Sequence, residues 1–352
     1  MRVLLTGTDG YIGAVLAARM EREGYDVFGL DTGYYRDGWL FSAPESMPIS
    51  VESAGRDLRT LKEEDFRGFD AVIHLAELSN DPLGENNPDI TRDINFQGSL
   101  NMARAAKAAG VMRFVYASSC SVYGIASDEV VDETSAVNPQ TAYAECKVLV
   151  ENALGELADT SFCPVFLRNA TAYGASPRMR FDIVLNNLVG LAHTKGRIEM
   201  ISDGSPWRPI VHIDDICSAV ICASKAPDDA VRGEIFNVGS DAENYTVKQI
   251  AELVHQVYPD CELIFGPPNP DNRSYKVSFT KISTQLPGFR TRWTALDGVH
   301  QLHSIFSRIR LDKSAFEFRA FTRLRQLEYL LRTEQIDDRF YWTNACSLYK
   351  HG

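Results

Sequence analysis

The chain has 352 residues, 45% of them hydrophobic and 24% charged, an ordinary composition for a folded protein with a large core. Its 36 Lys and Arg against 47 Asp and Glu leave a formal charge of −11, which repels polyphosphate at long range and sets nucleic acid aside as a partner. A small anionic ligand must then be caught by a few local Arg side chains or by helix N-termini.

Cysteines stand at Cys120, Cys146, Cys163, Cys217, Cys222, Cys261 and Cys346 with no C-x-x-C pair. That spacing suits neither a zinc site nor a disulfide framework and reads as free thiols in a reducing compartment. The apolar run before Gly7 is too short for a signal peptide, and no stretch reaches the ~20 apolar residues that span a membrane. A cytoplasmic protein with neither a metal site nor a membrane partner is expected.

Short apolar runs at 3–6, 25–31, 71–75, 114–117 and 164–167 read as strands, and amphipathic stretches at 12–23, 95–109 and 143–158 as helices. Continuous apolar strands alternating with helices predict an α/β fold, a doubly wound parallel sheet of Rossmann type covered on both faces. The pattern loosens after residue 170, where Pro and Gly punctuate 174–177, 204–209, 266–270 and 287–288, with helices predicted at 182–195, 214–225 and 247–258. The predicted organisation is a cofactor domain over 1–170, with parts of 205–245 returning to it. A smaller irregular substrate lobe spans 171–290, and a helical tail spans 291–352. In the tail, Phe321, Leu324, Leu327, Leu330 and Leu331 form an apolar stripe, while Arg319, Arg323, Arg325 and Arg332 lie off it and read as a solvated basic face.

Gly7-x-x-Gly10-x-x-Gly13 follows the first strand and opens the first helix. The first glycine allows a tight turn, the second lets a pyrophosphate approach the backbone, and the third lets helix and strand pack closely. The second strand ends in Asp31, where an acid meets the adenosine ribose and repels a 2′-phosphate, so the expected cofactor is NAD. Further on, the strand at 114–117 runs into Ser118, Ser119 and Ser121, and Tyr143 and Lys147 stand four apart on the next helix. Positions i and i+4 share a face, so both side chains can enter one cleft. An unperturbed Tyr is only about 0.1% ionised at pH 7, and lowering its pKa by ~3 units takes roughly 4 kcal/mol. A Lys ammonium and a positive nicotinamide ring can supply that together, with a Ser hydroxyl on the substrate oxygen.

These residues resemble the extended short-chain dehydrogenase/reductase family, in particular its nucleotide-sugar epimerases and dehydratases. The likeness covers about residues 1–300. It includes Asp57-Leu58, His74-Leu75-Ala76, Asn95-x-x-Gly98, Ser118-Ser119-x-x-Val122-Tyr123-Gly124, Leu167-Arg168, Tyr173-Gly174, Asn187-Leu188 and Arg208 through Asp215. The resemblance implies Ser119, Tyr143 and Lys147 as catalytic residues. Around NAD it implies Gly7, Gly10, Tyr11, Ile12, Gly13, Asp31, Asp57, Leu58, Leu75, Ala76 and Asn95, with Tyr143 and Lys147. For a nucleotide-diphosphate sugar it implies Ser79, Ser121, Tyr143, Thr171, Asn187, Leu188, Arg208 and Arg273, of which Asn187, Arg208 and Arg273 grip the diphosphate. It also suggests a homodimer through the helices at about 92–109 and 143–158.

Departures narrow the reaction. The family's 4,6-dehydratases carry Asp-Glu, and its decarboxylases a Glu, where this chain has Cys120-Ser121. Thr171 stands where many relatives have Asn, Glu77 where Ala is usual, and Pro209 where Asp is common. Cys120 lies one position from the acid/base Cys of the family's keto-sugar epimerase-reductases, and one position redirects a side chain, so it reads as packing. His74, His193 and His212 read as structural. The expectation is a C4 epimerase working through a 4-keto sugar. A C4 dehydrogenase or keto-reductase and a non-catalytic NAD-binding sensor are the alternatives.

Overall fold

The structure is a computed structural model that describes residues 1–42, 54–79, 87–267 and 273–343. Seven parallel strands form the main sheet: β1 (Arg2–Thr6), β2 (Asp26–Asp31), β3 (Ala54–Gly55), β4 (Ala71–His74), β5 (Arg113–Ser119), β7 (Cys163–Asn169) and β11 (Ile235–Val238). Their order across the sheet is β11-β7-β5-β4-β1-β2-β3. The order reverses direction at β1, where β2 and β4 lie on either side, and a crevice opens there at the carboxyl ends of the strands. Side chains alternate across the sheet with the period of two that a strand dictates. Val3, Leu5, Ile73 and Val115 enter one core with Leu16, Met20 and Val220. Leu4, Val72, Phe114 and Tyr116 enter the other with Met102, Ala106, Val150 and Leu154.

The shorter strands are β6 (Ile125–Val131), β8 (Thr171–Tyr173), β9 (Arg197–Glu199), β10 (Trp207–His212), β12 (Asn244–Thr246), β13 (Glu262–Ile264) and β14 (Ser274–Val277). They make three small sheets, β12-β10-β8, β13-β9 and β14-β6. A third core joins the helices Val184–Lys195, Val247–Val257 and Ala295–Ile309 through Leu188, Val189, Val254, Leu302 and Phe306. The first helix of the tail therefore belongs to the lobe. The last, Arg323–Arg332, buries Leu327 and Leu330 against the sheet domain beside Tyr34 and Phe340.

The helix expected to begin at residue 95 begins at Pro88 and runs through a π-helical stretch, Arg92–Gly98, into Ser99–Ala108. Its start is set locally: the Asn87 side chain accepts from the Ile90 N–H at 3.2 Å, and Pro88 takes the first helical position, where a missing N–H costs nothing. The six described cysteines are free, and Cys346 lies outside the described residues. Among the described residues no cluster of His, Cys, Asp and Glu could hold a metal ion, and no helix is long and apolar enough to cross a membrane.

Candidate active site

The crevice at the strand ends deepens into a cavity of about 830 Å³ that reaches from Asp31 to Arg273. One wall is the glycine turn. Gly7 has φ +80°, a conformation that L side chains rarely adopt, and its N–H donates to the Leu30 carbonyl at 2.7 Å. A Cβ on Gly13 would fall 1.9 Å from the Gly7 carbonyl oxygen, so only glycine lets the helix Tyr11–Arg22 sit this close. A Cβ on Gly10 would also stand 2.9 Å from that oxygen. The result is a backbone cradle at a helix N-terminus, the geometry that accepts a phosphate.

Asp31 closes the end of the cavity beside the glycine turn. Its carboxylate accepts from the Gly33 N–H at 2.7 Å and the Asp9 N–H at 3.0 Å, yet burial, with Asp9 nearby, lifts its pKa to about 6. Ribose hydroxyls donating to it would favour the ionised form. Asp57 caps the turn Leu58–Thr60 and is paired with Arg59 at 2.6 Å. Leu58 comes within reach because Gly98 has no side chain: a Cβ there would meet Leu58 Cδ1 at 2.1 Å. Asn95 departs from the expected contact set. It is fully buried and does not line the cavity; its side chain accepts from the Leu78 N–H at 2.9 Å and donates to the Leu78 carbonyl at 3.1 Å, shaping the loop after β4 from behind. His74 is likewise internal, bonded to Thr6 and Ser99 at 2.8 Å each, and burial holds its pKa down to about 3, so it stays neutral.

At the other end of the glycine wall stand Ser119, Ser121, Tyr143 and Lys147, all lining the cavity. Thr141 caps the helix Ala142–Glu156 by accepting from the Ala144 N–H, which fixes Tyr143 and Lys147 in its first two turns. Ser119 caps the turn after β5, and its hydroxyl accepts from the Ser121 N–H at 3.1 Å. The buried Ser121 hydroxyl faces the cavity with no hydrogen-bond partner among the described residues. Cys120 points the other way, is 1% exposed and donates to the Arg168 carbonyl. Burial pushes its thiol far above the usual range, as expected for a packing residue.

Glu77 is the feature that the sequence marked as a departure without giving it a role. It lies 2.6 Å from the Lys147 ammonium, with both side chains at most 5% exposed, and accepts from the Tyr116 hydroxyl at 2.6 Å. Lys147 also donates to the Ala117 carbonyl and sits 5.4 Å from the centre of the Tyr143 ring. Burial opposes the Lys147 charge, but Glu77 and Tyr143 outweigh it, and its pKa ends above the ordinary value. Burial raises the Glu77 pKa in turn, against the pull of Lys147.

The lobe supplies the far wall. Thr171, Asn187, Leu188, Arg208 and Arg273 line it, and Ser79 faces them from the loop after β4. Arg208 donates to the Arg273 carbonyl, and Asn187 to the Phe181 carbonyl at 2.8 Å. Among the residues that sequence reasoning did not assign to the site, Arg56, Arg180 and Arg323 also reach the cavity. Arg323 corrects the expectation of a solvated basic face on the tail: Arg325 and Arg332 are exposed, but Arg323 is 4% exposed. A signal was present, since Arg323, Gln326, Leu327 and Leu330 follow helical spacing and form the buried face.

A Rossmann sheet whose switch-point crevice carries the glycine cradle, an acid at the end of β2 and a Tyr-Lys pair marks an NAD-dependent enzyme. Residues 3–239 match the model of the NAD dependent epimerase/dehydratase family, and the chain belongs to that family. It is 29% identical over 316 residues to the UDP-glucose 4-epimerase of Mycolicibacterium smegmatis, covering 87% of this chain and 98% of the relative. It is 32% identical over 241 residues to a probable UDP-glucuronate 4-epimerase of Rhizobium meliloti, covering 64% of this chain and 69% of the relative. Among solved structures it resembles MoeE5 in complex with UDP-glucuronic acid and NAD, with TM-score 0.74, 25% identity, and 88% and 100% of the two chains covered. The UDP-glucose 4-epimerase of Thermotoga maritima has the same fold, with TM-score 0.76 at 22% identity over 88% and 100% of the two chains.

Proposed function

We propose that the chain is a nucleotide-sugar 4-epimerase. The observation that carries this reading is the turn after β5. Where dehydratases of the resembled family keep an acid and a base, this chain turns Cys120 into the core and offers the cavity only the Ser121 hydroxyl. The pocket is thus equipped to oxidise and reduce a hydroxyl-bearing carbon but not, at that position, to expel water. Bound NAD would supply the acceptor, and then the donor, of the sugar carbon's hydride. Tyr143 takes the hydroxyl proton as the C4 ketone forms and gives it back on reduction, with Ser119 hydrogen-bonded to the same oxygen. Lys147 supports the charge that develops on the phenol. Gly7, Gly10 and Gly13 with Tyr11 and Ile12 would cradle the cofactor's phosphates. Asp31, Asp57 and Leu58 would hold its adenosine, and Leu75 and Ala76 would pass beneath it. Asn187, Arg208 and Arg273 would hold the sugar diphosphate, with Ser79, Ser121, Thr171 and Leu188 around base and sugar. Turning the keto sugar before hydride returns inverts C4 with no net redox change.

Incubating the protein with a panel of nucleotide sugars and following C4 inversion by NMR tests this, preceded by a thermal-shift screen in which a ligand at 100 Kd adds ~2.7 kcal/mol. Inversion with retained NAD and no added oxidant is the expected result. Stoichiometric cofactor consumption would instead establish the dehydrogenase or reductase, and binding without any conversion the sensor. A cytoplasmic homodimer joined through the helices at about 92–109 and 143–158 completes the reading. A monomeric mass in solution would remove the dimer.

A further inference from the structure

Arg323 is costly where it lies. It opens the tail helix, is 4% exposed, and its guanidinium stands 3.8 Å from the centre of the Tyr35 ring. Its backbone N–H donates to Asp182 at 3.2 Å, but no described residue hydrogen-bonds its guanidinium, and the residue lines the cavity. Nearby, Arg180 donates to Asp182 at 2.8 and 3.1 Å and to the Ser79 hydroxyl at 3.2 Å. The partly buried Arg180 guanidinium and the Arg323 backbone thus meet one carboxylate, and Asp182 and Asp31 are the acids that act on the Arg323 charge. Burial and the charge of Arg180 together push the Arg323 pKa down to about 10. A largely buried cation that no described residue hydrogen-bonds is stabilised when an anion in the cavity completes it.

Position says which anion. Arg180 and Arg323 line the cavity together with Gly10 and Tyr11; Asn186 donates to the Arg180 carbonyl at 3.1 Å and to the Tyr11 hydroxyl at 3.2 Å, and Arg323 stands over Tyr35, in the loop after the strand that ends in Asp31. Both therefore lie on the wall between Asp31 and Tyr11, where the helix Tyr11–Arg22 begins. The glycine turn itself offers backbone N–H groups but no cation. Of the other cavity arginines, Arg56 is paired with Asp65, and Arg208 and Arg273 sit together on the lobe wall.

We propose that Arg323 and Arg180 form a clamp on the cofactor's pyrophosphate, so that the C-terminal helix completes the dinucleotide site. Planar guanidinium forks suit phosphate oxygens, and an acidic chain needs local cations to hold them. The inference rests on the assignment of the crevice to NAD.

Titration calorimetry on the full-length chain tests it, with NAD+, ADP, adenosine and UDP as separate ligands. Replacing Arg323 by Ala (Arg323→Ala) is expected to weaken NAD+ and ADP about tenfold or more and to leave adenosine and UDP within about twofold. Arg323→Lys keeps charge and length but loses the fork, and an intermediate Kd for NAD+ is expected even if the Ala variant does not fold. Unchanged NAD+ and ADP binding in a wild type that binds both would overturn the clamp alone. Loss of UDP binding in place of ADP would move the two residues to the sugar nucleotide and overturn it as well. A wild type that has been freed of retained cofactor and then binds no NAD+ would overturn the cofactor assignment and the clamp together.

Discussion

Lys147 and Glu151 stand one turn apart on the helix Ala142–Glu156, and each is half of a buried ion pair. Glu151 meets Arg168 at 2.6 Å with three hydrogen bonds between them, takes a fourth from Ser118, and Arg168 spends another donor on the Tyr123 hydroxyl. That pair is closed on all sides and its members do not line the cavity. Lys147 and Glu77 are as deeply buried but open onto the cavity beside Tyr143. The same chemistry thus serves two ends: a saturated pair fixes the sheet to its helix, and an open one is available to a reacting group. Where its partners end, more than how deeply it is buried, separates a structural charge from a functional one.

The comparison can be broken at several points. Tyr143→Phe removes the group that the open pair serves; turnover is expected to fall about 10²- to 10⁴-fold while NAD+ affinity stays within about twofold. Unchanged turnover would dismiss Tyr143. Arg168→Ala strands the Glu151 charge in the closed pair, and urea unfolding is expected to show a loss of about 3–5 kcal/mol, with turnover per folded molecule retained. Glu77→Gln is expected to cost less stability. It removes the negative charge that helps raise the Lys147 pKa, so proton-linked groups beside it should titrate lower. The ascending limb of the pH–rate profile is expected to move down by about one unit; a limb that stays in place would make Glu77 a packing residue.

The smallest effect concerns Asp31. With a pKa near 6, its carboxylate is the form that accepts from ribose hydroxyls, so NAD+ affinity should weaken as pH falls below about 6 and level off above it. Asp31→Asn should flatten that dependence. In the cofactor-free chain the sign reverses: a folded pKa of about 6 against about 3.9 unfolded gives stability that is full below the unfolded value and is lost as pH rises through about 6.

Much of this was legible in the chain. Strand and helix periods locate the sheet, because a parallel sheet buried on both faces leaves continuous apolar runs: β1, β2, β4, β5 and β7 lie within a few residues of where those runs place them. The glycine turn and the Tyr-Lys spacing are local, so they carry their own geometry. What could not be read depends on distant approach. Glu77 meets Lys147 across 70 residues of sequence, and Asp182 meets Arg323 across 141. Asn95 could be matched to a motif, but only the packed loop shows that it braces Leu78 rather than lining the cavity. Arg323 was misplaced for a different reason: counting the tail stripe from Leu324 and Leu331 rotates the helix away from its buried face.

The most direct measurement follows nucleotide-sugar conversion by NMR alongside the near-ultraviolet absorbance of reduced nicotinamide, using the protein as purified and adding no cofactor. Inversion at C4 over many turnovers, with no lasting rise in that absorbance, is the predicted result, and Tyr143→Phe should slow it about 10²- to 10⁴-fold. Accumulation of one reduced cofactor per sugar oxidised, or loss of water from the sugar, would contradict a Tyr143-centred epimerase.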